Sequence, residues 1–139
     1  MHHIFVFGTL KEGFPNFKTN HGQRVPGEFV TRDPYALYLV GDRHSPWLVA
    51  DTDKGCYVGG QVFEVDDAGL AEMDRLERID QADGYRRVQL TVVNRMTDAE
   101  LRVFAYLKPE AQMQGADIRI GPIEEYTQEH AGLYRRRSE

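Results

Sequence analysis

The chain of 139 residues contains one cysteine, Cys56, so it cannot close an internal disulfide, and that suits a reducing compartment. It has no apolar run approaching the length of a membrane span, and its first residues do not follow the charged-then-apolar plan of a secretory leader. It also lacks an excess of positive charge. Seventeen Lys and Arg face twenty-two Asp and Glu, for a formal charge of −5, which argues against a nucleic-acid scaffold with a basic face. The one basic run, Arg135-Arg136-Arg137, has no interleaved aromatics and reads as a solvated tail. Five histidines (His2, His3, His21, His44 and His130) form neither H-x-x-x-H nor H-E-x-x-H, so no metal site is expected. Cys56 has no evident His partner and reads as a core or surface thiol rather than a nucleophile. These features together predict a soluble, cytoplasmic protein.

What is present is an ordinary globular composition, 41% hydrophobic and 28% charged, and a length suited to one domain over residues 1–139. Apolar patterning predicts strands at His3–Phe7, Arg24–Thr31, Tyr35–Val40, Tyr57–Val65, Tyr85–Asn94 and Leu101–Lys108. The first is followed by a loop, Gly8–Gly22, with room for one helical turn. Gly41–Lys54 reads as a polar loop holding an apolar island, Pro46-Trp47-Leu48-Val49. The pair Gly59-Gly60 suggests a bulge or a close backbone approach. A helix opens behind Asp66, an N-cap residue, and runs to about Ile79. A terminal helix is expected over Ile123–Tyr134. Strands dominate and no β-α-β alternation appears, so the expected class is α+β, a small, mostly antiparallel barrel-like sheet with flanking helices.

Two places stand out. On the main helix, Leu70, Met73 and Leu76 share an arc of roughly 120°, and Glu77 falls inside it. A carboxylate on a face that should be buried needs compensation. It is either a structural partner of an arginine on the next strand, Arg86 or Arg87, or a general acid/base whose pKa is raised by desolvation. The second place is the stretch IFVFGTLKEGFPN, residues 4–16, where a strand stops abruptly at Gly8-Thr9. It matches neither the Walker A order nor G-x-G-x-x-G, which argues against a nucleotide. It is either a plain turn or a set of backbone N–H groups converging on an anion or carbonyl oxygen. Trp47, Tyr35, Tyr38, Tyr85 and Tyr106 are candidates to line a pocket or to fill the core.

Four segments, in order, resemble one family. FVFGTLKEGFPN is similar to the F-V-Y-G-T-L-K-x-G-x-P-N opening of the γ-glutamyl cyclotransferase superfamily, within it the γ-glutamylamine cyclotransferase (AIG2-like) branch. PYALYLVGDRHSPWLV, GGQVFEVDDAGLAEMDRLER and GYRRVQLTV resemble that branch's following segments, so the likeness covers residues 4 to about 107. The resemblance implies a small β-barrel-like fold with flanking helices. It also implies a cofactor-independent and metal-independent cyclisation of a γ-glutamyl group to 5-oxoproline, with release of an amine. The expected partner is a small γ-glutamyl compound, with neither nucleic acid nor membrane. Carried over by position, the catalytic glutamate falls on Glu77 and the substrate cradle on Phe7, Gly8, Thr9 and Leu10. Trp47 and Tyr85 would complete the wall. Phe7 stands where the family has tyrosine, which removes a hydroxyl and leaves the backbone donors in place. Met73 stands for a leucine. Other γ-glutamyl compounds as substrates, or ligand binding without turnover, are the alternatives.

Overall fold

The computed structural model of the chain describes residues 1–50, 53 and 55–136. Arg137 of the basic run and positions 51, 52 and 54 of the predicted polar loop lie outside the described residues. Nine strands and two helices follow in the order β1 (His2–Val6), β2 (Gln23–Arg24), β3 (Phe29–Thr31), β4 (Ala36–Val40), β5 (Ser45–Val49), β6 (Gly59–Val65), α1 (Asp67–Leu76), β7 (Arg86–Asn94), β8 (Glu100–Leu107), β9 (Ile118–Ile123) and α2 (Gln128–Ala131).

Five of the strands close on themselves. The neighbour order is β1-β8-β7-β3-β6, and β6 returns to β1 through the register His2↔Val65 to Val6↔Gln61. Only the β1–β8 contact of this ring is parallel; the others are antiparallel. Closure leaves no long free edge. A separate three-stranded sheet, β5-β4-β9, packs against the barrel through Leu37, Leu39 and Leu48. The α+β, barrel-like expectation is therefore met.

Side-chain alternation explains why these strands form a barrel. On β8, Val103, Ala105 and Leu107 join the main core with Phe5, Val62 and Val92. Tyr106, one residue out of phase, faces the other way with Ile4, Val6, Phe63 and Val65. That outer apolar surface needs a cover, and α1 supplies Leu70 and Met73. Burying each of the two contributes about 1.5–3 kcal/mol. The helix starts where the sequence predicts: Asp66 accepts a hydrogen bond from the Gly69 amide at 2.8 Å. Gly60 marks a close approach, since a Cβ there would lie 2.5 Å from the Val6 carbonyl oxygen.

Four expectations need correction. The predicted strand Arg24–Thr31 is split into β2 and β3, because Pro26 and Gly27, the latter at φ +113°, break the ladder between them. The apolar island Pro46–Val49 is not in a loop but in β5, paired with β4 from Ala36↔Val49 to Val40↔Ser45. Pro46 is tolerated because β5 is an edge strand. The main helix ends at Leu76 rather than Ile79, and Leu76 is 42% exposed instead of buried. The expected terminal helix Ile123–Tyr134 shrinks to the one-turn α2, Gln128–Ala131, and its first residue, Ile123, ends β9, which pairs along β4. No helix among the described residues is long and apolar enough to cross a membrane.

Candidate active site

A cavity of about 900 Å³ opens between the end of β1, the β4–β5 turn and the end of α1. Its size lies in the range of small-molecule sites. Phe7, Gly8, Thr9, Leu10, Trp47, Glu77 and Tyr85 all line it, so the residues singled out from sequence converge on one place. Tyr106 lines it as well, whereas Tyr35 pairs with Cys56 in an isolated bridge and Tyr38 belongs to a separate apolar cluster. Cys56 reaches the Ile123 carbonyl through its Sγ at 3.6 Å, and burial raises its pKa; it is not part of the cavity.

The Gly8–Leu10 loop is fixed from behind. Lys11 donates its amide to the Gly8 carbonyl at 3.1 Å, and Asn16 donates its own to the Thr9 carbonyl at 2.8 Å. The Asn16 side chain also holds Thr9 Oγ1 at 2.9 Å. A Cβ on Gly8 would meet Pro46 Cγ at 2.8 Å, so glycine lets the loop lie against β5. The carbonyls thus point into the turn. The amides of Gly8, Thr9 and Leu10 have no acceptor among the described residues. Unpaired backbone donors beside a cavity are available to an anion or a carbonyl oxygen. Phe7 is 7% exposed and packs 6.3 Å from Phe5, so its ring belongs to the core as much as to the cavity.

Glu77 is held by main-chain contacts on both sides. It is the C-cap of α1, its amide donating to Met73 O at 2.9 Å, and its carbonyl accepts from the Tyr85 amide at 3.0 Å. Arg78 follows at φ +56°, a left-handed residue that turns the chain out of the helix. The connection back to β7 is closely knit. A Cβ on Gly84 would fall 1.7 Å from the Arg78 carbonyl oxygen. The Arg86 guanidinium gathers the carbonyls of Ile79, Gln81, Gly84 and Tyr85. Arg87 instead pairs with Asp74 at 2.5 Å. Neither arginine is the partner of Glu77, which removes the structural ion pair that the sequence left open. Glu77 keeps some accessible surface because it borders the cavity, but protein surrounds its carboxyl on the other sides. That desolvation pushes its pKa up to about 7, and the nearby Lys108 charge pulls in the opposite direction.

Lys108 is the charged cavity residue that sequence reasoning passed over. It is 7% exposed and lies at the end of β8, two residues from Tyr106 and therefore on the same face. Its ammonium sits 4.5 Å from the ring centroids of both Trp47 and Tyr85, donates to Asp83 O at 2.6 Å and reaches Gln112 Oε1 at 3.1 Å. The signal in the sequence was the alternation of LRVFAYLK, which puts Lys108 in phase with Phe104 and Tyr106 on the helix-facing side of β8. Tyr85 spans the site, its hydroxyl donating to Pro46 O at 2.8 Å. Tyr106 donates to Asp74 Oδ1 at 2.7 Å, and burial, first, with that carboxylate raises its pKa. Among the described residues no group of three His, Cys, Asp or Glu side chains could hold a metal ion.

The closed barrel thus gathers unpaired backbone amides and a desolvated carboxylate around one cavity. The family model for gamma-glutamyl cyclotransferase, AIG2-like, matches residues 4–128, and the chain belongs to that family. It is 38% identical over 97 residues to a gamma-glutamylaminecyclotransferase of Mus musculus, a match covering 66% of this chain and 64% of that protein. It is 40% identical over 96 residues to a putative gamma-glutamylcyclotransferase of Drosophila melanogaster, covering 65% and 59%. The chain therefore spans less than two thirds of the length of these relatives. The crystal structure of an AIG2-like protein from Mus musculus superposes with a TM-score of 0.79 at 30% identity, covering 100% of this chain and 98% of that one.

Proposed function

We propose that this protein is a γ-glutamylamine cyclotransferase in which Glu77 is the general acid/base. The observation that carries the reading is the pairing, in one cavity, of a carboxyl whose pKa is pushed up to about 7 and three backbone amides without acceptors among the described residues. The names of the relatives support the same chemistry.

The reaction joins two ends of one substrate. The α-nitrogen of a γ-glutamyl group attacks its own γ-amide carbon, a five-membered lactam closes, and the C–N bond to the distal amine breaks. Tethering supplies the encounter, so the protein has to hold the chain in attack geometry. Two protons leave the α-ammonium and two reach the departing nitrogen, which leaves as an ammonium. A carboxyl poised near neutral pH can carry them one at a time. Negative charge grows on the γ-carbonyl oxygen in the tetrahedral species. The amides of Gly8, Thr9 and Leu10 are the donors suited to receive it, and their rigidity means they need no rearrangement as it forms. Trp47, Tyr85 and Phe7 would flank the glutamyl stem and limit competing hydrolysis by water. In this scheme Lys108 holds the glutamate ionised for part of the population at neutral pH.

The test is 5-oxoproline release from purified protein over a small panel: γ-glutamyl-ε-lysine, γ-glutamyl-alanine and glutathione. Release from the first at the highest kcat/KM supports the reading. Preference for either of the others reassigns the substrate within the family. Ligand-induced stabilisation without any 5-oxoproline identifies a binding protein instead.

A further inference from the structure

The cavity is far larger than a γ-glutamyl stem, and what surrounds the surplus volume is not neutral. Three carboxylates line it. Asp42 is bonded to Arg119 at 2.7 Å and Asp83 to Arg78 at 2.9 Å, which leaves Glu77. Lys18, Arg43 and Arg136 also line it, and none of these three has a carboxylate partner among the described residues. A chain with a net charge of −5 thus turns a cationic rim toward this cavity.

Arg43 is the built part of that rim. It lies half-buried in the β4–β5 turn, and the segment running out from α2 straps across it. Arg135 donates its amide to the Arg43 carbonyl at 3.0 Å, and Arg43 Nε donates back to the Arg135 carbonyl at 3.0 Å. Arg43 Nη2 donates to the Tyr134 hydroxyl at 3.3 Å, and the guanidinium lies 5.8 Å from the Tyr134 ring centroid. The Tyr134 hydroxyl also accepts from Asn16 Nδ2 at 3.2 Å, the same amide group that holds Thr9 Oγ1. One side chain therefore ties the cradle loop to the strap and, through Tyr134, to Arg43. Arg136 is anchored to the same stretch by a bond to Pro15 O at 2.5 Å. A guanidinium has five N–H donors, and among the described residues only two of those on Arg43 are used. A partly desolvated, oriented fork without an anion is suited to a carboxylate, which binds arginine in two parallel hydrogen bonds.

We propose that Arg43, flanked by Arg136 and Lys18, is the specificity-determining subsite for a carboxylate on the amine that leaves. The proposal rests on the cyclotransferase reading above. It gives the basic run near the end of the chain a role: the strap carries Arg136 to the cavity, and its backbone and Tyr134 orient Arg43.

The test uses matched substrates: γ-glutamyl-6-aminohexanoate, the same compound with its terminal carboxylate converted to a primary amide, and γ-glutamyl-hexylamine. The carboxylate compound is expected to exceed the other two in kcat/KM by about ten- to a hundredfold, the range for a charge-assisted pair. In Arg43→Met that ratio is expected to fall toward one, and in Arg43→Lys to stay well above it. Equal turnover of the three substrates, or a ratio that Arg43→Met leaves unchanged, overturns the subsite while the cyclotransferase reading stands. Absence of 5-oxoproline from all three overturns the cyclotransferase reading. The subsite is then decided by calorimetric binding of the same compounds to the Glu77→Gln protein: tighter binding of the carboxylate compound supports it, and equal affinities overturn it.

Discussion

The main-chain carbonyl of Glu77 accepts a hydrogen bond from the amide of Tyr85 at 3.0 Å, across a connection of seven residues. The same Tyr85 reaches Pro46 through its hydroxyl and lies under the Lys108 ammonium. The end of α1, the start of β7, the edge strand β5 and the end of β8 are thereby fixed to one another around the cavity. Glu77 is presented by backbone contacts that do not involve its carboxyl, which leaves that group for chemistry.

Glu77→Gln is expected to abolish 5-oxoproline release and to leave the fold intact, because the main-chain bonds that hold the residue survive. Its stability should also depend differently on pH. The folded-state pKa of Glu77 lies above its ordinary value, so the native protein binds the proton more tightly than the unfolded chain. The parent therefore loses stability as pH rises from about 4.5 to about 7. Glutamine does not ionise, so the variant should be more stable than the parent by roughly 1–3 kcal/mol at pH 8 and nearly equal to it at pH 4. Urea denaturation of both proteins at the two pH values measures this.

The pH profile of kcat/KM is expected to show an acid limb centred near pH 7, rising as Glu77 deprotonates. Lys108→Met removes the cation that favours the carboxylate, so the limb should move to higher pH. Activity at pH 6.5 should then fall more than activity at pH 8.5. A limb that stays in place in this variant would show that Lys108 does not act on Glu77.

Gly84→Ala puts a methyl group 1.7 Å from the Arg78 carbonyl oxygen, inside a connection already fixed by Arg86 and Gln112. The backbone has to move, at a cost of about 3 kcal/mol. A lower denaturation midpoint, with loss of turnover in the folded fraction as Glu77 shifts, is the expected result.

Gly8→Ala brings a methyl group to 2.8 Å from Pro46 Cγ, so the cradle loop must lift away from β5. Displacement of the Gly8–Leu10 amides by a fraction of an ångström should lower kcat by about tenfold or more, with a smaller effect on stability. Steady-state kinetics beside a thermal melt separates the two effects.

Much of the site was legible along the chain. The abrupt end of β1 at Gly8, the Asp66 cap and a carboxylate on the helix face are local features, and a 3.6-residue period read from Asp66 leads to Glu77. The barrel strands followed from period-two alternation for the same reason. Four features were not legible. Whether Glu77 meets Arg86, Arg87 or neither depends on the path of residues 78–84, which Arg78 at φ +56° and the contact at Gly84 decide. The apolar island Pro46–Val49 becomes a strand only because β4 offers it an edge. Ile118–Ile123 is extended because it pairs with that same strand from the other side. Lys108 and Arg43 reach the cavity through partners dozens of residues away, Trp47 and Tyr85 in one case and Tyr134 and Arg135 in the other. The sequence by itself determined most of the barrel strands, the Asp66 cap and the carboxylate at the end of α1, since those depend on neighbours within a few residues. Only the tertiary structure decided what surrounds that carboxylate, because its desolvation and the charges beside it come from chain segments that meet when the barrel closes.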